Sequence, residues 1–199
     1  MKICLAKATE KHLMSLNIGL LQYSYIQNHY VKNDEDFRDV FTDFYLTSQA
    51  RMRNDENRVP FFELLSKTKP SDLLIDIVEE LYKILPIGMY EFSFATKLLH
   101  TINPKSPIYD SKVYKYLKTD EKVDLWDIHQ KKLNRAGKEI SKIDKIKHNW
   151  EELNNWYDAF IKTKTAVDWI NWFDCNFPTY KSISNIKKID FIIFTFSGY

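Results

Sequence analysis

Glycine is scarce in this sequence, at 4 of 199 residues, and proline is sparse at 6. So few turn-formers suit neither a many-stranded all-β fold nor a doubly wound sheet; they favour helices joined by short loops. Cysteine is limited to Cys4 and Cys175, which excludes a four-thiolate zinc site, an iron–sulfur cluster and a CxxC motif. Two such residues, with no leader in view, point to free thiols in a reducing compartment. No apolar run approaches the roughly 18–20 residues of a membrane span. Lys7, Glu10 and Lys11 interrupt the stretch that a signal peptide would need. The expectation is a cytoplasmic protein. An excess of one charge is also missing: 29 Lys and Arg face 27 Asp and Glu, a net of +2. Nucleic-acid binders often carry more, so any basic surface here must come from local segregation. There is no glycine-rich phosphate loop, no GxSxG elbow and no HExxH. His12, His29, His100, His129 and His148 are dispersed without metal-ligand spacing, so neither metal nor cofactor is expected.

What the chain does have is apolar material in helical order. Hydrophobic residues reach 44% and aromatics 15%, enough for a substantial core. Residues 9–31 place Leu13, Leu16, Leu20, Tyr23 and Ile26 near helical spacing, with Gly19 a local weakness. Asp34, Glu35 and Asp36 head a second helix, where the dipole favours carboxylates, and Phe37, Val40, Phe41, Phe44 and Tyr45 form its apolar stripe. Residues 50–58 read as a loop. Its Arg51, Arg53 and Arg58 could gather into an anion patch, but Asp55 and Glu56 among them favour a solvated connector. Pro60 starts a short amphipathic piece, and Pro70, Ser71 and Asp72 open a helix through Leu85. Three further helical patterns cover residues 122–136, residues 138–163 behind a stop at Gly137, and residues 165–176. In the last segment Ile186, Ile189, Ile193 and Phe196 suit a helix, and a strand there would have no partner. The predicted fold is all-α, an orthogonal bundle of about nine or ten helices. No linker, repeat or clear boundary divides it, so residues 1–199 form one domain or two closely packed lobes.

The central stretch, residues 85–117, holds three of the prolines and reads as helix end, turn, apolar helix, proline-bracketed loop and a helix opened by Asp110. Leu85-Pro86 closes the first helix, Ser93-Phe94-Ala95-Thr96 starts the second, and Pro107-Ile108-Tyr109-Asp110-Ser111-Lys112-Val113 leads into the third. This order resembles the helix-hairpin-helix base-excision DNA glycosylase superfamily over about thirty residues, with a degenerate hairpin near residues 73–117. Gly88 stands alone where the family has two closely spaced glycines that let amides approach a DNA phosphate. The resemblance places Asp110 on the catalytic carboxylate. It places Ser93 where bifunctional members carry a nucleophilic lysine, which implies the monofunctional, water-using reaction. Tyr109 and Tyr114 are the nearest aromatic candidates to shape a pocket for a flipped base.

A carboxylate suits that chemistry, since breaking an N-glycosidic bond builds positive charge on the sugar while water attacks. The same residue also reads as a plain helix cap accepting from amides two or three positions on. A basic segment lies further along the chain, with Lys131, Lys132, Arg135, Lys138 and Lys142 among its cations. Lys112 and Lys115 follow Asp110 closely and would add to the same field on a phosphate backbone. Its ordinary reading is a solvated helix face. Two functions follow: a DNA-binding protein of the base-excision type with Asp110 positioning water, or a non-catalytic helical module that binds protein or nucleic acid.

Overall fold

Most helices begin where the sequence offers a side-chain oxygen to the first free amides. In the computed structural model, which describes residues 3–45, 54–85, 90–134 and 137–197, nine α-helices are found among those residues. Thr9 caps α1 (Glu10–His29), and α2 (Glu35–Tyr45) starts on its own acidic turn, with Asp34 accepting from the Phe37 amide. Asn54 caps α3 (Asp55–Lys67). Then come α4 (Leu74–Ile84) and α5 (Phe92–Ile102), neither with a side-chain cap. Asp110 caps α6 (Ser111–Thr119), Ser141 caps α7 (Lys142–Phe160), Thr163 caps α8 (Lys164–Asn176) and Ser184 caps α9 (Asn185–Phe196). No strand occurs among the described residues beyond an isolated bridge between Leu133 and Glu139.

The helix that organises the rest is α5. Every residue from Phe92 to Ile102 is buried except Ser93. A helix without a wet face belongs inside a domain, and here its polar groups are satisfied from neighbouring elements. Lys97 donates to the carbonyl of Tyr45 at 2.9 Å, occupying an acceptor that the end of α2 leaves open. His100 bridges Ser106 O at 2.6 Å and the Tyr23 hydroxyl at 3.0 Å. Thr96 accepts from the Tyr109 amide, which ties the loop before α6 to α5. Around this helix α1 packs on α2 and α9, α4 on α5, and α9 on α6 and α8. One cluster of buried side chains runs through all nine helices, from Leu16 and Leu20 to Ile192 and Phe196.

Three boundaries differ from the sequence reading. The expected loop over residues 50–58 ends early, because Asn54 accepts from the Glu56 amide and starts α3, leaving Pro60 inside the helix. Arg58 is therefore helical and ion-paired with Glu35 and Asp39 at 2.7 and 2.5 Å, so it offers no anion patch. Arg51 and Arg53 lie outside the described residues. Pro70 does not open α4. It sits in a turn where Asp72 accepts from the Lys69 amide, and the helix starts at Leu74.

The largest difference concerns residues 122–134 and 137–141, expected to be mostly helical and found irregular. Their acidic and amide side chains compete with a helix for the backbone. Asp127 accepts from the His129 and Gln130 amides, and Asn134 from Lys138. Gly137, at φ 76°, turns the chain rather than stopping a helix. From outside the segment, buried Asn149 holds both backbone groups of Trp126 at 2.7 Å, and His148 stacks on the Trp126 ring.

Candidate functional site

The cap at Asp110 shows how one carboxylate can hold a helix and still face outward. Its Oδ1 accepts from the amides of both Lys112 and Val113, each at 2.8 Å. No hydrogen bond among the described residues engages Oδ2. Asp110 is half-buried and lines a cleft of about 780 Å³ together with Ser93, Tyr109 and Tyr114. The four residues singled out for the chemistry and the pocket thus meet on one surface. Thr96 positions Tyr109, whose ring lies 4.2 Å from that of Phe92 and 5.7 Å from that of Tyr114. Burial pushes the Tyr109 phenol up, so it stays a neutral hydroxyl across the physiological range.

The charged lining is not what the basic segment leads one to expect. Asp43, Glu91, Asp110, Asp127 and Asp190 line the cleft against Lys97 and Lys187. Both lysines are engaged: Lys97 with Tyr45 O, and Lys187 with Asp190 Oδ2 at 2.6 Å. Lys187 is 3% exposed and sits among aromatic rings, 4.7 Å from the centre of Phe191 and 5.2–5.4 Å from Tyr23, Phe44 and Tyr45. Such faces attract a desolvated cation. Burial holds Lys97 below the usual ammonium range, with Asp110 opposing that shift and Lys187 adding to it. Burial likewise pushes Asp190 up, against the pull of Lys187.

The expected phosphate contacts lie elsewhere. None of Lys112, Lys115, Lys131, Lys132, Lys138 and Lys142 lines the cleft. Lys112 donates to Phe194 O at 3.0 Å and stands 3.9 Å over the Phe194 ring, while Lys115 is exposed on the same helix. Lys131 pairs with Glu139 at 3.7 Å, and Lys132 stands 3.6 Å over Trp126. Lys131, Lys132 and Lys138 belong to the irregular segment, not to a basic helix, and only Lys142 is helical, in the first turn of α7. Gly88, with residues 86–89, and Arg135 lie outside the described residues.

Sequence reasoning passed over Lys97, Lys187, Asp190 and Tyr45, which build the inner wall. The signal was present as lysines on helix faces that are otherwise apolar, in FATKLLH and IKKIDFIIF. Among the described residues no group of three or more His, Cys, Asp and Glu is placed to hold a metal, and no helix is long and apolar enough to cross a membrane. Comparison with protein-family models, with curated proteins and with solved structures gives no match.

Proposed function

We propose that the cleft hydrolyses an N-glycosidic bond, with Asp110 as the residue that orients and deprotonates water. The observation that carries this reading is the division of labour within one cleft-lining side chain, Oδ1 fixed by two amides and Oδ2 without a hydrogen bond among the described residues. The N-terminal end of α6 favours the anion there. In the reaction water adds its oxygen to the anomeric carbon, and the bonding pair of the C–N bond leaves with the base. The proton taken from water ends on the departing nitrogen. Ser93, in place of an amine nucleophile, is consistent with a water-using step.

The helix-hairpin-helix resemblance favours DNA as the substrate form. The acidic lining dictates how DNA would sit: the base enters the cleft, and phosphates stay outside near exposed Lys112 and Lys115. The same lining supports the second reading, a binding module without catalysis, because five carboxylates repel a phosphate chain. The cytoplasm suits both readings, since Cys4 and Cys175 are exposed free thiols.

The test is incubation with duplexes containing uracil, oxidised or alkylated bases, followed by alkali and heat to reveal abasic sites. Asp110→Asn keeps a good capping side chain, so its melting temperature should stay near that of the wild type. Cleavage should drop by about 10²-fold or more. Equal cleavage by the variant, or no cleavage of any lesion, removes the enzymatic reading. A DNA affinity that ignores salt removes the nucleic acid as well.

A further inference from the structure

We propose that Asp190 Oδ1 and Tyr45 Oη form a recognition subsite in the inner wall of the cleft, for the N–H-bearing edge of a heteroaromatic ring. The inference builds on the reading of the cleft as a nucleobase site and says which edge of the base is read. Asp190 is 4% exposed and Tyr45 9%, and both line the cleft. Among the described residues, neither Asp190 Oδ1 nor Tyr45 Oη has a hydrogen-bond partner. Orphaned buried polar atoms are rare in folded proteins and call for a specific explanation. The Tyr157 hydroxyl is a further buried atom without a partner among the described residues, while several polar groups of the wall are paired. Asp190 Oδ2 holds Lys187, Lys97 holds the Tyr45 carbonyl, and His100 holds Tyr23.

The two atoms define their complement. An ionised carboxylate oxygen only accepts, and a phenol both donates and accepts. An amino group next to a ring nitrogen satisfies the pair, its N–H going to Asp190 and its ring nitrogen taking the Tyr45 proton. Adenine and cytosine carry that edge. A phosphate or carboxylate is refused by Asp190 and by the other acidic residues of the lining. Rings of Phe44 and Phe191 on the same cleft supply apolar faces for the base. Both polar atoms are shielded from solvent, so ligand binding requires a small rotation of each side chain, which the Lys187 ion pair restrains at Asp190 and no hydrogen bond of the hydroxyl opposes at Tyr45.

The test uses 9-methyladenine and 1-methylcytosine, whose methyl group replaces the sugar, with N6,N6,9-trimethyladenine as the control that lacks the N–H. Calorimetric titration of the full chain should show binding of the first two and loss of about tenfold or more for the control and for Asp190→Asn. Asp190→Asn can fail to fold because Lys187 loses its counter-charge, so Tyr45→Phe is the second variant. It should bind several-fold more weakly and yet melt at a higher temperature than the wild type, because it deletes a buried hydroxyl with no partner. Absence of binding by both amino-bearing probes, equal affinity for the control, or unchanged affinity in Tyr45→Phe overturns the subsite. The two ideas fail separately. Probe binding without cleavage of any lesion sinks hydrolysis alone, whereas lesion cleavage with an unchanged KM in Tyr45→Phe sinks the subsite alone.

Discussion

Replacing Lys187 by methionine is expected to cost about 3–5 kcal/mol of folding free energy, the penalty for leaving one member of a buried ion pair unpaired. Lys187 is 3% exposed, its ammonium lies 2.6 Å from Asp190 Oδ2, and the second oxygen of that carboxylate has no partner among the described residues. Without the lysine neither oxygen has a hydrogen bond among the described residues, and only the charge of Lys97 still favours the anion. The chain must then bury an anion or protonate it, and the deficit should shrink in acid as the carboxyl takes a proton. Adding Asp190→Leu should recover most of the loss, since an apolar pair of similar volume does at least as well as a buried salt bridge. Methionine also suits the surrounding rings of Tyr23, Phe44 and Phe191. Urea unfolding of the wild type, the single variants and the double variant measures the cycle. A single-variant loss below about 1 kcal/mol would show that the pair is solvated in practice.

Acid should weaken the fold through His100. Its Nδ1 faces the Ser106 carbonyl, which only accepts, so the ring carries its proton there and Nε2 accepts from the Tyr23 hydroxyl. Burial, with the Lys187 charge, lowers its pKa from 6.5 to about 3. The unfolded chain binds the proton more readily, so stability is fully present above pH 6.5 and is lost as pH falls towards 3. Within that window this residue alone sets a slope of about 1.4 kcal/mol per pH unit. Asp190, whose carboxyl burial pushes up, acts in the opposite direction, so the measurement is a difference. Urea unfolding at pH 7, 6 and 5 should show a steeper decline for the wild type than for His100→Gln. Parallel declines would mean that the ring protonates in place.

Much of the architecture is legible in the sequence because periodic apolar residues and caps agree with each other. The Phe37, Phe41 and Tyr45 stripe and the Ser184 cap before α9 are such cases. The last segment is helical, as the spacing of Ile186, Ile189, Ile193 and Phe196 and the lack of a partner strand imply. Residues 122–134 mislead because their apolar side chains serve a loop: Val123, Leu125 and Ile128 pack on the core from a loop pinned by Asn149, and Trp126 stacks on His148. Spacing within a segment cannot register a hydrogen bond that comes from 23 residues away. The same limit applies to the cleft. Asp110 and Tyr109 are readable because the cap and its loop are local. Tyr45, Lys97 and Asp190 become neighbours only when α2, α5 and α9 pack, and nothing in their own segments shows that they share a wall.

The enclosure of α5 has a consequence for exchange with heavy water. Its amides are hidden by neighbours on every side, so no local fraying brings them to solvent, and deuterium must wait for the entire molecule to open. The outer face of α1, where Met14, Ile18 and Leu21 are exposed, can exchange through smaller excursions. The slowest protons in the protein should therefore belong to Ala95–Leu99, and their free energy of exchange should equal that of global unfolding.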